Sequence, residues 1–167
     1  MSRSTKSHPF DPTPELLVRL YRAAWALCGS PHDAEDLVQE AFARVLARPR
    51  GLRGDPAPYL LRTLRNTFLT SLRTASRRPR TAELPIDEGP AMQSSLAPPD
   101  VAFEQREALA AIAALPEEFR SALVAVDIVG LSHQEAARML GTREATIATR
   151  LFRARQRVAR TLRAEAR

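Results

Sequence analysis

The sequence predicts an all-α chain of two small helical domains joined by a flexible linker, the C-terminal one carrying a helix-turn-helix. Three observations predict it. Apolar residues recur at helical spacing through most of the chain, and no stretch sustains the alternation of a strand. Between 79 and 100 stand five Pro (79, 85, 90, 98, 99), Gly89 and few large apolar side chains, the composition of a linker. Finally, Leu131–Val158 reads as two short helices around a tight turn.

The elements follow in order. Residues 1–13 are polar and proline-containing and read as a flexible tail. Leu16, Leu17, Leu20, Tyr21, Ala24, Leu27 and Cys28 give a first helix ending near Gly29. Ser30-Pro31 starts a second, with Ser as cap and Pro at the first helical position. Its buried face is Ala34, Leu37, Val38, Ala41, Val45 and Leu46, and Asp36, Gln39, Glu40 and Ala43 share the opposite face. Arg48 to Pro58 is a loop by its Pro and Gly content. A third helix carries Tyr59, Leu60, Leu64, Phe68 and Leu72 and ends in a basic run, Arg73, Arg77, Arg78 and Arg80. Beyond the linker, Val101–Leu115 and Glu117–Val129 read as two helices divided at Leu115-Pro116. In the last motif Ser132 and Glu135 form a capping box, Gly141 ends the helix and Thr142 is expected to cap the next. Ala137, Gly141 and Ile147 take the places of small contact residue, turn glycine and core aliphatic.

Charge is segregated along this framework. The chain has 167 residues and a net charge of +6, and Lys6 is its only lysine, so its cations are Arg. Arg binds phosphate and guanine bidentately, which points to nucleic acid, although a codon bias toward Arg produces the same composition. Domains of about 60 residues bury only about 60% of their unfolded surface, so each is expected to depend on partners. The single cysteine, Cys28, excludes an internal disulfide and a multi-cysteine zinc site; its apolar surroundings favour a buried small hydrophobe over a reactive thiol. No apolar run approaches the roughly 18 residues of a membrane span and the N-terminus lacks a signal core, so a cytoplasmic protein without membrane insertion is expected. Three scattered His, no phosphate loop and no nucleophile elbow argue against an enzyme, and no cofactor is expected. The acids beside His32, Asp33 and Asp36, read as dipole and capping residues rather than as metal ligands.

Two constellations carry chemistry. On the last helix, at about 100° per residue, Ile147, Leu151, Ala154, Val158 and Leu162 form an apolar stripe opposite Thr149, Arg153, Gln156 and Arg160. Seven Arg against one acid between Arg143 and Arg163 favour phosphate and base contact over a merely solvated face. Phe152 lies off the apolar stripe and suits either burial against another helix or apolar contact in a major groove. On the third helix, Tyr59 beside Arg62, Arg65 and Asn66 suits stacking on an unpaired base, with ordinary burial of Tyr59 the alternative.

Together these stretches resemble the extracytoplasmic-function (group 4) sigma factors of the sigma-70 family. DAEDLVQEAFARVLA (33–47) resembles region 2.2, YLLRTLRNTFLTSLR (59–73) regions 2.3 and 2.4, and residues 115–155 region 4. The resemblance implies a region 2-like domain over 14–80, a linker over 81–100 and a region 4-like domain over 101–167. It implies a transcription initiation factor that binds core RNA polymerase, through the clamp helices of the largest subunit and the flap, and directs it to promoter DNA. Asp36, Gln39 and Glu40 would then dock on polymerase. Tyr59, Arg62, Arg65 and Asn66 would act at the −10 element. Arg143, Thr146, Thr149, Arg150, Phe152 and Arg153 would read the −35 element. An anti-sigma factor is the implied inhibitor. The sequence departs from the family at Tyr59, where members often carry Trp, and at Ala148, usually Lys or Arg, so the −35 sequence is not transferable from relatives. A stand-alone helix-turn-helix regulator is one rival reading, which leaves the Asp33–Glu40 face and the Arg62–Arg80 run without a role; an anti-sigma-like or adaptor protein acting only through protein contacts is another, distinguished by indifference of DNA binding to Arg153→Ala.

Overall fold

The structure, a computed structural model, describes residues 12–47, 54–77 and 103–165. The first eleven residues, most of the loop after the second helix, Arg78, Arg80 and the linker over 81–100 lie outside them. Among the described residues every regular element is helical: α1 (Pro14–Cys28), α2 (Pro31–Ala47), α3 (Ala57–Arg77), α4 (Phe103–Ala113), α5 (Glu117–Leu123), α6 (His133–Leu140) and α7 (Glu144–Glu165).

Local chemistry fixes the ends. The Thr13 hydroxyl accepts from the Leu16 amide at 3.3 Å and Pro14 fills the first helical position, so ordered structure begins inside the stretch expected to be a tail. Gly29 closes α1 at φ 81°, its N–H donating to the Trp25 carbonyl at 2.7 Å. A side chain there would also be crowded, because a Cβ on Gly29 would stand 3.3 Å from that of Ala113. Ser30 Oγ accepts from the Asp33 amide at 3.3 Å, the cap expected for α2. Asp55 accepts from the Ala57 amide at 3.0 Å at the start of α3.

The second half departs from expectation in detail. α5 continues into a π-helical turn over Val124–Ile128 instead of running as one α-helix to Val129. Ser132 and Glu135 form the expected capping box, and burial plays almost no part in holding the Glu135 carboxyl below its ordinary pKa: the Ser132 amide and hydroxyl, which both donate to it, do so. Ser132→Ala is expected to cost about 1 kcal/mol, lowering the thermal midpoint by about 2–4 °C in a calorimetric scan. Gly141 adopts φ 64° at the turn. α7 begins at Glu144, so the cap position falls to Arg143, whose carbonyl receives the Thr146 and Ile147 amides, and not to Thr142.

Helix α1 is the centre of the molecule. It packs on α2 and α3 on one side and on α4, α5 and the π-helical turn on the other. Residues Ala23 to Leu27 are therefore buried without interruption, as befits a helix apolar around its whole circumference. The buried side chains of both halves, from Leu16 to Ala154, form one continuous cluster. Four expected apolar positions do not join it: Leu17 and Leu162 are only half-buried, and Leu46 and Leu72 are exposed toward the C-terminal ends of their helices. Cys28 is half-buried rather than fully buried as expected, and donates its thiol to the Ser30 carbonyl at 3.2 Å; burial raises its pKa.

Polar side chains stitch the halves together. Arg19 Nη1 donates to the Val129 carbonyl at 2.8 Å. Arg120 Nη1, from α5, donates to the carbonyls of Leu27 at 3.0 Å and Ala113 at 2.8 Å, and its guanidinium lies 5.4 Å from the centre of the Phe68 ring. A cation thus sits where α1 and α4 both end, satisfying carbonyls their own helices leave free. Arg65 on α3 donates Nη2 to Glu117 and Nε to Ser121 Oγ at 2.9 Å, and Ser121 Oγ donates to Glu117 Oε1 at 2.8 Å.

Candidate nucleic-acid interface and acidic face

Three surfaces hold the residues singled out from sequence. On α2, Asp36, Gln39 and Glu40 are all exposed, because the buried positions Ala34, Leu37, Val38 and Ala41 occupy the other side of the helix. His32 Nε2 stands 3.9 Å from Asp36, and Arg44 donates to Glu40 at 2.5 Å, each pair one helical turn apart. Asp36 keeps 69% of its side chain exposed, so this face is available to a partner.

On α3 the four candidates separate. Arg62 and Asn66 are exposed, and Tyr59 is half-buried against the core, between its two sequence readings. Arg65 is not free: it is held by Glu117 and Ser121 of α5. Tyr59 and Arg62 also border a groove whose other wall is Glu135, Arg138 and Met139 of α6. Burial acts to raise the pKa of Glu117, but hydrogen bonds from Ser121 and Arg65, with the Arg65 charge, outweigh it and hold the carboxyl below its ordinary value. A depressed carboxyl contributes stability that is complete above the ordinary glutamate range and is lost as pH falls through the lowered value. The midpoint difference between the wild-type chain and Glu117→Gln is therefore expected to hold at neutral pH and to shrink on acidification below that range, in thermal melts across a pH series. A difference independent of pH would count against it.

On α7, Ile147, Leu151 and Ala154 are buried against the body of the second unit while Val158 and Leu162 are half-covered, so the expected stripe is real but fades toward the C-terminus. Phe152 is 62% exposed, which removes burial against a neighbouring helix as its explanation. Arg143, Thr149 and Arg153 are exposed with it, and Thr146 is half-buried at the start of the helix. Thr149, Phe152, Arg153 and Gln156 recur at helical spacing and so make one outward ridge, apolar in the middle and polar around it.

Three other arginines of α7 have structural work. Arg150 Nη2 donates to Glu118 at 3.4 Å. Arg155 grips Asp127 with two bonds, at 2.9 and 2.6 Å. Arg157 lies 4.7 Å from the centre of the Phe119 ring. These three arginines thus have partners within the domain, although Arg155 and Arg157 remain exposed. Sequence reasoning missed Arg19, Glu117, Arg120 and Ser121. A signal existed for Arg120, a cation in the otherwise apolar run after Phe119; none existed for its partners.

The Sigma-70 region 2 family matches residues 15–78 and the Sigma-70 region 4 family residues 105–158. Among curated proteins, the ECF RNA polymerase sigma factor SigM of Mycobacterium tuberculosis is 34% identical over 146 residues, 86% of this chain and 71% of SigM. The chain belongs to the extracytoplasmic-function RNA polymerase sigma factors. SigE of Mycolicibacterium smegmatis is 37% identical over 144 residues, 84% of this sigma factor but only 56% of SigE, so the chain matches little more than half of that relative's length. The ECF sigma-E factor of Escherichia coli is 30% identical over 137 residues, covering 75% of this chain and 72% of its own. The fold is shared with the sigma factor RpoE in its co-crystal structure with the anti-sigma factor NepR from Bartonella quintana, at a TM-score of 0.67 and 24% identity over 89% of this chain and 92% of that one. CnrH, solved with the cytosolic domain of CnrY, superposes at 0.55 with 22% identity over 89% and 82%.

Proposed function

We propose that this sigma factor binds core RNA polymerase through the α2 face of Asp36, Gln39 and Glu40 and brings it to promoters read at two elements. The −35 element is read by the outward ridge of α7: Thr149, Phe152 and Arg153, with Arg143, Thr146 and Arg150 at its flank. The −10 element is taken by Tyr59, Arg62, Arg65 and Asn66 of α3 once strands separate. The observation that carries this reading is the combination, on one chain of region 2 and region 4, of an exposed acidic face and an exposed Thr149–Phe152–Arg153 ridge. An acidic face repels DNA and suits a basic protein partner, whereas the ridge suits a major groove.

The clamp helices of the largest polymerase subunit are the expected dock for α2, and the flap for the second unit. An anti-sigma factor is the expected inhibitor, supported by the likeness in fold to RpoE and CnrH, which were each solved with one. The domains are taken as 14–80 and 101–167 with 81–100 between them. Among the described residues no helix is long and apolar enough to cross a membrane, which is compatible with work in the cytoplasm. Initiation is the action, and catalysis stays with the polymerase. Run-off transcription with core polymerase on genomic fragments tests the reading: transcripts from a discrete set of fragments are expected, and no association with core polymerase would overturn it in favour of a stand-alone regulator.

A further inference from the structure

We propose that the groove between α2 and α3 takes up an arginine side chain of core RNA polymerase when the α2 face docks. The proposal rests on the reading of α2 given above and adds to that face a pocket whose chemistry comes mainly from α3.

The groove has a volume of about 330 Å³ and is lined by Glu40 and Arg44 of α2 and by Thr67, Thr70, Ser71 and Thr74 of α3. Three of its hydroxyls commit their protons to their own helix. Thr70 donates to the Asn66 carbonyl at 2.8 Å, Ser71 to that of Phe68 at 2.7 Å and Thr74 to that of Thr70 at 3.0 Å. What they offer a guest is lone pairs. Thr67 is different. Its side chain is 2% exposed, yet its oxygen has no hydrogen-bond partner, whereas the other three threonines of α3 bond the carbonyl four residues earlier. A buried hydroxyl left without a partner destabilises the fold, so this one marks a place for a donor from outside.

The acceptors select the guest. Lone pairs and the Glu40 carboxylate repel phosphate, which excludes a nucleic-acid backbone from this groove. An apolar side chain leaves the oxygens unpaired. A guanidinium fits, because it is planar, donates through five N–H groups and is more weakly hydrated than an ammonium. Arg44 shows that the groove holds such a group, since its Nη2 donates to Glu40 Oε1 at 2.5 Å. That pair is about half exposed on both sides and joins residues one turn apart, so it yields to a competitor at little cost. Position names the source of the guest. Glu40 belongs both to the groove and to the α2 face with Asp36 and Gln39, so a protein seated on that face has the groove at its edge. An acidic face draws a basic partner, and the arginine of that partner nearest α3 is the guest.

The test measures binding of the full chain to core polymerase without DNA, by anisotropy of a dye at the N-terminus. Thr67→Val keeps the shape and removes the hydroxyl. It is expected to weaken binding about three- to tenfold while the thermal midpoint stays at or above that of wild type, and Thr67→Ser is expected to restore most of the affinity. Unchanged affinity in Thr67→Val overturns the proposal, and so does a loss accompanied by a lower midpoint, which marks the hydroxyl as a prop of the fold. Arg44→Ala removes the internal competitor and is expected to strengthen binding, with a smaller gain in the Thr67→Val background; equal gains in both mark a general charge effect and overturn shared occupancy. Acetyl-arginine amide at millimolar concentration is expected to shift the methyl resonances of Thr67 and Thr70, and acetyl-citrulline amide to leave them in place. Equal shifts with the two, or none, overturn a cationic guest. Asp36→Arg runs in parallel. If it loses polymerase while Thr67→Val does not, the groove falls alone; if it binds like wild type, the reading of α2 falls and the proposal with it.

Discussion

Asp36→Arg is expected to abolish association with core RNA polymerase while leaving DNA binding by α7 intact. The argument begins with what Asp36 does not do for the fold. It is well exposed, and its contact with His32, 3.9 Å away, is too long and too solvated to contribute measurably. Reversal of its charge is therefore expected to leave the thermal midpoint within about 1 °C of wild type, in line with the small effects of most surface substitutions. At an interface the same change acts differently. It removes an attraction and places a like charge against the partner's cation, a change worth about 2–5 kcal/mol when the pair is desolvated, or roughly 30- to several-thousand-fold in affinity. Gln39 and Glu40 on the same ridge cannot compensate, because Glu40 already shares its charge with Arg44. Co-sedimentation or pull-down with core polymerase measures the loss, and duplex binding by the same variant provides the internal control. Polymerase affinity like that of the wild type would remove α2 as the docking face.

What the sequence reveals about this molecule follows the range over which each interaction acts. Caps, turns and helix periods are local: Pro31 after Ser30, Gly29, the Ser132–Glu135 box and Gly141 are all readable from neighbours four residues apart or fewer. The exposed ridges of α2 and α7 are readable for the same reason, since helical geometry alone puts Asp36 with Glu40 and Thr149 with Arg153. The packing of one unit on the other is not local. It depends on Arg65 meeting Glu117 and on Arg120 meeting Leu27, pairs 52 and 93 residues apart in the chain. One hint was present in composition. The run Ala23-Ala24-Trp25-Ala26-Leu27 has no polar side, which a helix covered on only one face does not need. A single stripe through Leu20 and Ala24 leaves Ala23 and Ala26 without a role, yet both are fully buried, and α1 packs on α4, α5 and the π-helical turn as well as on α2 and α3.

The charge count on α7 is a local signal that does not tell which arginines also have partners within the domain. Seven arginines against one acid favour phosphate and base contact, yet Arg155 is bonded twice to Asp127 and Arg157 lies over Phe119. Arg is long enough to double back onto its own domain, and which arginines do so depends on acids and rings brought close only by folding.

That distinction yields the last prediction, a contrast between two arginines two residues apart. Arg153 is exposed on the ridge with Thr149 and Phe152, while Arg155 is tied to the π-helical turn. Arg153→Ala is expected to weaken binding to a cognate −35 duplex by about 1–3 kcal/mol, roughly ten- to a hundredfold, and to relax selectivity at one base position, because a bidentate guanine contact is lost. Phe152→Ala is expected to reduce preference for thymine at a neighbouring position without changing the salt dependence, since a ring releases no counterions. Arg155→Ala should leave affinity and selectivity near wild type and instead lower stability by less than about 1 kcal/mol, because its pair with Asp127 is largely solvated. Selection of binding sites from a random duplex library, followed by titrations of each variant at two salt concentrations, separates these outcomes. If Arg153→Ala keeps the wild-type preference while Arg155→Ala loses it, the helix is rotated relative to the groove from the orientation argued here, and the reading surface lies on the side of Asp127.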